Sequence, residues 1–215
     1  MQNRNILLAL GGLILFAAFA GGVFSYISMQ HQRQDAAAGI PELLWPNPKP
    51  IQPFTLTDHA RQNFSLDDLK GRWSFMFFGF THCPDICPLT LATLNQMQQL
   101  LAARNLAGDT RVLFVTVDPG RDTPERLAEY VKYFNKDFIG LGGSQQQIAD
   151  FTRQIGVVFQ YGPEQSPGDY QVDHSASVFL IDPEGRLISI FSAPHQAESM
   201  VSQFEAIRRF FEQHA

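Results

Sequence analysis

This chain of 215 residues contains two cysteines, and they stand four positions apart. Cys83 and Cys87 lie in Thr81-His82-Cys83-Pro84-Asp85-Ile86-Cys87-Pro88. The C-x-x-x-C spacing is one residue longer than the C-x-x-C of thioredoxin-like redox motifs. Two thiols on so short a loop can close a redox-active disulfide or chelate a soft metal. A permanent structural disulfide there would constrain little of the unfolded chain. Proline is favoured at the first helical position and pushes the residue before it out of the helical region. The spacing therefore predicts a helix starting at Pro88, with Cys87 at or just before its cap. Both sulfurs then sit at the positive end of a helix, which favours thiolate.

A third group for such a site has to come from elsewhere in the chain. There are six histidines: His31, His59, His82, His174, His195 and His214. His31 and His214 stand near the ends, His59 in a polar turn and His195 in a loop after Pro194. His82 adjoins Cys83, and its side chain is expected to point away from its neighbour's. His174, in Asp173-His174-Ser175, precedes a strand whose leading loop faces the cysteine loop in a thioredoxin-like sheet. Two thiolates and one imidazole make a trigonal site. Soft thiolates select Cu(I), and imidazole also suits Cu(II). Zinc wants a fourth ligand and is the weaker choice. Asp173 is either a support for the ligands or a loop-capping aspartate.

The elements that must position these groups follow from periodicity. Residues 73–80 (WSFMFFGF) form a continuous apolar run, the pattern of a strand buried on both faces. Its Phe75, Phe77, Phe78 and Phe80 read as core or site lining. Residues 89–103 carry apolar side chains at helical spacing, and residues 111–117 (RVLFVTV) form the next strand. A helix over 123–134 takes Thr123 as N-cap and Pro124 at its first position, so that Asp122-Thr123-Pro124-Glu125 reads as structural. A short strand at 138–140, a helix over 144–155, a strand at 157–161 and a Gly/Pro-rich loop over 162–168 follow. Residues 176–181 and 187–191 read as a hairpin closed by Asp182-Pro183-Glu184-Gly185, and residues 197–212 as a terminal helix. A short strand at 54–57 and a helical turn at 65–69 come before. The fold class is α/β: a βαβ unit with parallel strands, then ββα, the thioredoxin pattern of a central mixed sheet flanked by helices.

Composition narrows the classes. Hydrophobic residues make up 45% of the chain and charged residues only 17%, which is too apolar for disorder. The net charge of −5 gives no basic excess, so no nucleic-acid partner is expected. Two cysteines exclude a disulfide-rich scaffold and a four-thiolate zinc site. Residues 6–27 contain no charge and would span about 33 Å as a helix, against a hydrocarbon core of roughly 30 Å. They read as an uncleaved anchor within residues 1–34. The rival is a signal peptide cut after Ala18-Phe19-Ala20, but the apolar run continues past that point. Either way the rest is exported and carries a net −7, since residues 1–34 hold Arg4, Arg33 and no acid. Residues 35–50 form a Pro-rich linker, stiff in its second half, and residues 51–215 the folded domain. The expected location is the inner membrane, single pass, with the domain in the periplasm. The five residues before the span are too few for a transit peptide, which favours a bacterial over a mitochondrial protein.

With these residues in view, the chain resembles the Sco/SenC proteins, thioredoxin-fold copper-binding factors for assembly of cytochrome c oxidase. The resemblance runs over roughly residues 50–195 and the N-terminal anchor. It is carried by Phe78-Gly79-Phe80-Thr81-His82-Cys83-Pro84-Asp85-Ile86-Cys87-Pro88, by Val117-Asp118-Pro119-Gly120-Arg121-Asp122-Thr123-Pro124-Glu125, by Asp173-His174-Ser175 and by Asp182-Pro183-Glu184-Gly185. It implies copper ligands at Cys83, Cys87 and His174. For Asp118 it implies a role in supporting the ligands or in partner recognition; the plainer reading is a turn-initiating aspartate. Leu89 stands where many members have threonine.

Three functions compete on this fold. A metallochaperone would pass Cu(I) or Cu(II) to the copper-bearing subunit of the oxidase or exchange it with another copper chaperone. A thiol–disulfide reductase would keep the oxidase's copper-site cysteines reduced, needing Cys83 and Cys87 but not His174. No proline immediately precedes the strand at Ala176, which counts against a general oxidoreductase. A peroxidase needs one activated thiolate, and the pair with His174 argues against it.

Overall fold

The computed structural model describes residues 47–166 and 168–214. The expected anchor at 6–27, its flank with His31, and nearly all of the linker lie outside the described residues. Among the described residues no helix is long and apolar enough to cross a membrane.

Among the described residues eight strands form the main sheet. In chain order, β1 is Lys49–Pro50, β2 Thr55–Asp58, β3 Asn63–Ser65, β4 Trp73–Gly79, β5 Thr110–Thr116 and β6 Ile139–Gly142. A separate ribbon pairs β7, Phe159–Tyr161, with β8, Val172–His174. The sheet is completed by β9, Val178–Ile181, and β10, Arg186–Phe191, in the order β1-β10-β9-β4-β5-β6-β2-β3. The β4–β5 and β5–β6 pairs are parallel and the others antiparallel. The helices are α1, Leu66–Leu69; α2, Ile86–Ala103; α3, Pro124–Phe134; α4, Gln145–Ile155; and α5, Ala197–His214.

Strand β4 is buried along its whole length, and its side chains divide by parity as a pleated strand requires. Trp73, Phe75 and Phe77 enter one core with Leu91, Leu94 and Met97 of α2, Leu127 and Val131 of α3, and Val201, Phe204 and Ile207 of α5. Met76 and Phe78, with Phe80 beyond the strand, enter the other core with Ile148, Phe151 and Ile155 of α4. Both faces are therefore covered, which is why the run reads as uninterruptedly apolar rather than alternating.

Helix ends follow local chemistry. The Thr123 side chain accepts from the Arg126 N–H at the start of α3, with Pro124 in the first turn. Ser144 and Gln147 form a capping box on α4, which ends at Gly156 in the left-handed region (φ 90°). Asp182 closes the β9–β10 turn by accepting from the Glu184 and Arg186 backbone N–H groups and the Arg186 guanidinium.

The structure differs from the sequence reading at four places, of which the strand β3 is one. Helix α2 begins at Ile86, not Pro88, so Cys87 lies inside its first turn. The first turn has no acceptors for its own N–H groups, so Pro88 costs nothing there, and the Leu89 N–H makes the bond to the Asp85 carbonyl. Lys49 and Pro50, at the end of the expected linker, pair with Leu187 and Arg186 as β1. Residues 172–174, read as loop, form β8.

The first turn of α2 presses onto the end of β4 at Gly79. A Cβ there would lie 2.5 Å from Cys87 Sγ and 2.9 Å from Phe114 Cε2. Gly79→Ala is expected to cost about 1–3 kcal/mol through overpacking, measured by thermal unfolding. Gly108→Ala, whose Cβ meets nothing within 4 Å, is the control. Equal melting temperatures for the two variants would contradict this close approach.

Candidate metal centre

The loop after β4 carries Cys83, whose N–H donates to the Phe80 carbonyl at 3.2 Å. Cys83 is half-buried and Cys87 buried, and no disulfide joins them. His174 arrives from the other side as the last residue of β8, paired with Phe159. The next residue, Ser175, donates its N–H to the Val158 carbonyl at 3.1 Å.

The His174 ring is oriented at both nitrogens. Nδ1 lies 3.0 Å from the Ser175 carbonyl and Nε2 3.3 Å from Cys87 Sγ. A carbonyl only accepts, so Nδ1 carries the proton and Nε2 turns its lone pair to the sulfur. The rings of Phe77 and Phe80 stand edge-on to the imidazole at 6.0 and 5.9 Å. The two Sγ atoms and one imidazole nitrogen all lie within 4.8 Å of one another. Two soft thiols and an imidazole lone pair suit a thiophilic ion such as copper. Among the described residues the group contains no fourth ligand of the kind structural zinc takes.

The two thiols differ sharply. The hydrogen bond from Cys87 is the main reason that the Cys83 thiol is held down at about 4. Burial opposes this, while the backbone N–H groups of Asp85 and Cys87 assist. The same hydrogen bond, together with burial and the charge on Cys83, pushes the Cys87 thiol up. The first thiolate therefore forms on the half-exposed sulfur, and the proton stays on the buried one.

The other groups singled out in the sequence fall as follows. Asp173 is exposed on β8, because alternation along the strand turns it away from the side of Val172 and His174. Asp118 is buried and opens the turn after β5, its carbonyl accepting from the Arg121 and Asp122 N–H groups. Its carboxylate accepts from the Arg121 guanidinium and from Tyr170 Oη at 2.8 Å. The other described histidine side chains are engaged elsewhere. His59 Nδ1 bonds the Gly140 N–H, His82 Nδ1 lies 3.2 Å from Thr81 Oγ1, and His195 Nε2 bonds the Ala176 carbonyl.

Sequence reasoning missed Asp122. Its carboxylate is buried and accepts from the Thr81 N–H at 3.0 Å, Thr81 Oγ1 at 2.6 Å and Thr116 Oγ1 at 2.6 Å. Burial pushes its carboxyl up in spite of those bonds. The signal was present. Thr123 already supplies the cap of α3, which leaves an adjacent acid with nothing local to do.

The thiol asymmetry predicts the pH dependence of alkylation in the metal-free, reduced chain. A depressed thiol is ionised above its titration point, so iodoacetamide should modify Cys83 at a nearly constant rate from pH 8 to about 5 and slow below about 4. Cys87 should remain unmodified in the folded chain. Mass spectrometry of the labelled peptides checks both, and preferential labelling of Cys87 would contradict the assignment.

A profile described as SCO1/SenC matches residues 46–209. A protein named "Putative copper-binding protein" from Stutzerimonas stutzeri is 38% identical over 158 residues, covering 74% of this chain and 76% of its own. The mitochondrial SCO2 homolog of Bos taurus is 39% identical over 156 residues, covering 73% of this chain. This alignment spans 58% of the bovine protein, less than two thirds of its length. Among solved structures, copper-bound ScoI of Arabidopsis thaliana superposes with a TM-score of 0.69 at 34% identity, covering 74% of this chain and 98% of its own. BsSco, titled a member of the Sco family of cytochrome c oxidase assembly proteins and described with a disulfide switch, superposes at 0.59 with 27% identity, covering 75% and 95%. The mixed sheet and its helices are thus the thioredoxin-like Sco fold, and the chain belongs to the SCO1/SenC family.

Proposed function

We propose that this protein binds copper through Cys83, Cys87 and His174 and serves as a metallochaperone in the assembly of cytochrome c oxidase. The observation that carries this reading is the convergence of two thiols and an imidazole lone pair within 4.8 Å, with Cys87 Sγ the partner that His174 Nε2 faces among the described residues. Copper here is cargo, held as Cu(I) or Cu(II). Cys87 and His174 form the inner side of the site. Cys83, half-buried at its edge, is the ligand that a recipient's thiol reaches first. The recipient is the copper-bearing oxidase subunit, and another copper chaperone is the alternative partner. Residues 6–27 tether the domain to the inner membrane through the linker and place it in the periplasm.

The thiol asymmetry favours a second reading. A half-exposed thiolate beside a buried protonated thiol is also the arrangement of a dithiol reductant. The Cys83 thiolate would attack a disulfide in the oxidase's copper site, forming a mixed disulfide with one sulfur and expelling the other as a thiolate. Cys87 would then attack Cys83 Sγ, freeing the second thiol. Two electrons leave this chain, which ends with the Cys83–Cys87 disulfide. His174 is not needed for that chemistry.

The two readings part at His174. Copper titration of the full chain in detergent should show His174→Ala with an altered absorption spectrum and an affinity reduced about tenfold or more. An unchanged spectrum and affinity would contradict the ligand set. In a deletion strain grown at low copper and scored for oxidase copper content, failure of both His174→Ala and Cys83→Ser supports the metal role. Failure of Cys83→Ser alone supports the reductase.

A further inference from the structure

Strand β8 belongs to a ribbon outside the main sheet, with only three residue pairs. An isolated two-stranded ribbon is marginal in water. Its strands are joined by residues 162–171, longer than the two to about five residues typical of hairpins. The ribbon's own pairing is therefore a weak hold for His174, 3.3 Å from Cys87, even with Val172 buried in the second core and Phe159, Tyr161 and Tyr170 packed against that core.

The turn between β5 and α3 adds a polar hold, through two adjacent residues that reach in opposite directions. Asp122 reaches the cysteine side. It accepts from the Thr81 N–H and hydroxyl, two residues before Cys83, and from Thr116 at the end of β5. Arg126, one turn into α3, donates to the same Thr81 hydroxyl at 3.2 Å. Arg121 reaches the histidine side. Its Nη1 donates to the Gly168 carbonyl at 3.2 Å and the Tyr170 carbonyl at 2.9 Å. Its guanidinium lies 3.7 Å from the centroid of the Tyr170 ring and 5.6 Å from that of Phe80, whose edge meets His174. Asp118 completes the grip by binding both Arg121 and Tyr170 Oη. Tyr161 Oη adds a bond to the Val117 carbonyl, just before the same turn, at 2.7 Å.

We propose that residues 118–122 are a brace that sets the third ligand against the dithiol, with Arg121 positioning His174 and Asp122 positioning Cys83. Neither residue touches the donor atoms; each acts through the chain that carries a ligand. This assignment deepens the copper reading and rests on it only where copper is the probe.

The test is a double-mutant comparison on the full chain in detergent. Copper affinity is measured for Arg121→Ala and Thr81→Val, each alone and combined with His174→Ala. Arg121→Ala should weaken binding by about ten- to a hundredfold in the native background. It should add little in the His174→Ala background, because the group it positions is gone. Thr81→Val should weaken binding in both backgrounds, and Thr81→Ser, which keeps the hydroxyl, should restore it. In the metal-free protein, amide hydrogen exchange at residues 172–174 should accelerate in Arg121→Ala but not in Thr81→Val. Arg121→Lys keeps the charge and the stem but loses the forked contacts. It is the milder variant for the same readings should Arg121→Ala not fold.

Equal losses from Arg121→Ala in both backgrounds, or unchanged protection of β8, would overturn the brace. A wild-type chain that bound no copper would overturn the proposed function instead, and the exchange comparison would still decide the brace.

Discussion

The contact between Cys87 Sγ and His174 Nε2 joins residues 87 positions apart at 3.3 Å, and much of the site depends on it. A buried thiol and an imidazole set against phenylalanine edges need partners, because polar groups removed from water without one are costly. His174 Nε2 finds its partner in Cys87 Sγ, which faces both that nitrogen and Cys83. The contact uses the lone pair on Nε2, which requires the proton on Nδ1, which in turn requires the Ser175 carbonyl. It also requires the sulfur to sit deep beneath the first turn of α2, and that is possible only because Gly79 leaves room for it.

From this constraint the division of labour among the elements follows. Strand β4, buried on both faces, is the fixed reference: Phe77 near its end and Phe80 just beyond it line the site. Helix α2 carries Cys87 into the core, while the loop between them leaves Cys83 half-exposed. The histidine comes from a small ribbon that the main sheet does not include. The three groups thus arrive on different parts of the fold. The buried sulfur on α2 holds its proton most tightly, and the sulfur on the loop ionises first. A site that must both hold and release a soft ion, or exchange electrons with another thiol, is served by that inequality.

Much of this was legible in the sequence, because the relevant signals are local. The apolar run of β4, the cap at Thr123, the capping box at Ser144 and the turn at Asp182 are decided by neighbours within a few residues. The three residues that the fold brings together, Cys83, Cys87 and His174, could be named from thiol spacing and from the place of His174 before a strand. What escaped was decided at long range. Strand β8 has one buried apolar residue, Val172, too few to display a period. Lys49 and Pro50 become a strand only because β10 offers an edge. Asp118 and Asp122 stand in one motif, and nothing local says which of them is bonded to the cysteine loop. The weight placed on Asp118 belongs in part to Asp122, whose partner Thr81 lies 41 residues away.

The central claim is that one ion is held by the two cysteines and the histidine together. X-ray absorption at the copper edge, on the copper-loaded full chain, tests it most directly. The account predicts a first coordination sphere with two sulfur scatterers and an imidazole nitrogen, and loss of the imidazole signature in His174→Ala. A sphere with fewer than two sulfurs, or one unchanged by His174→Ala, would contradict it.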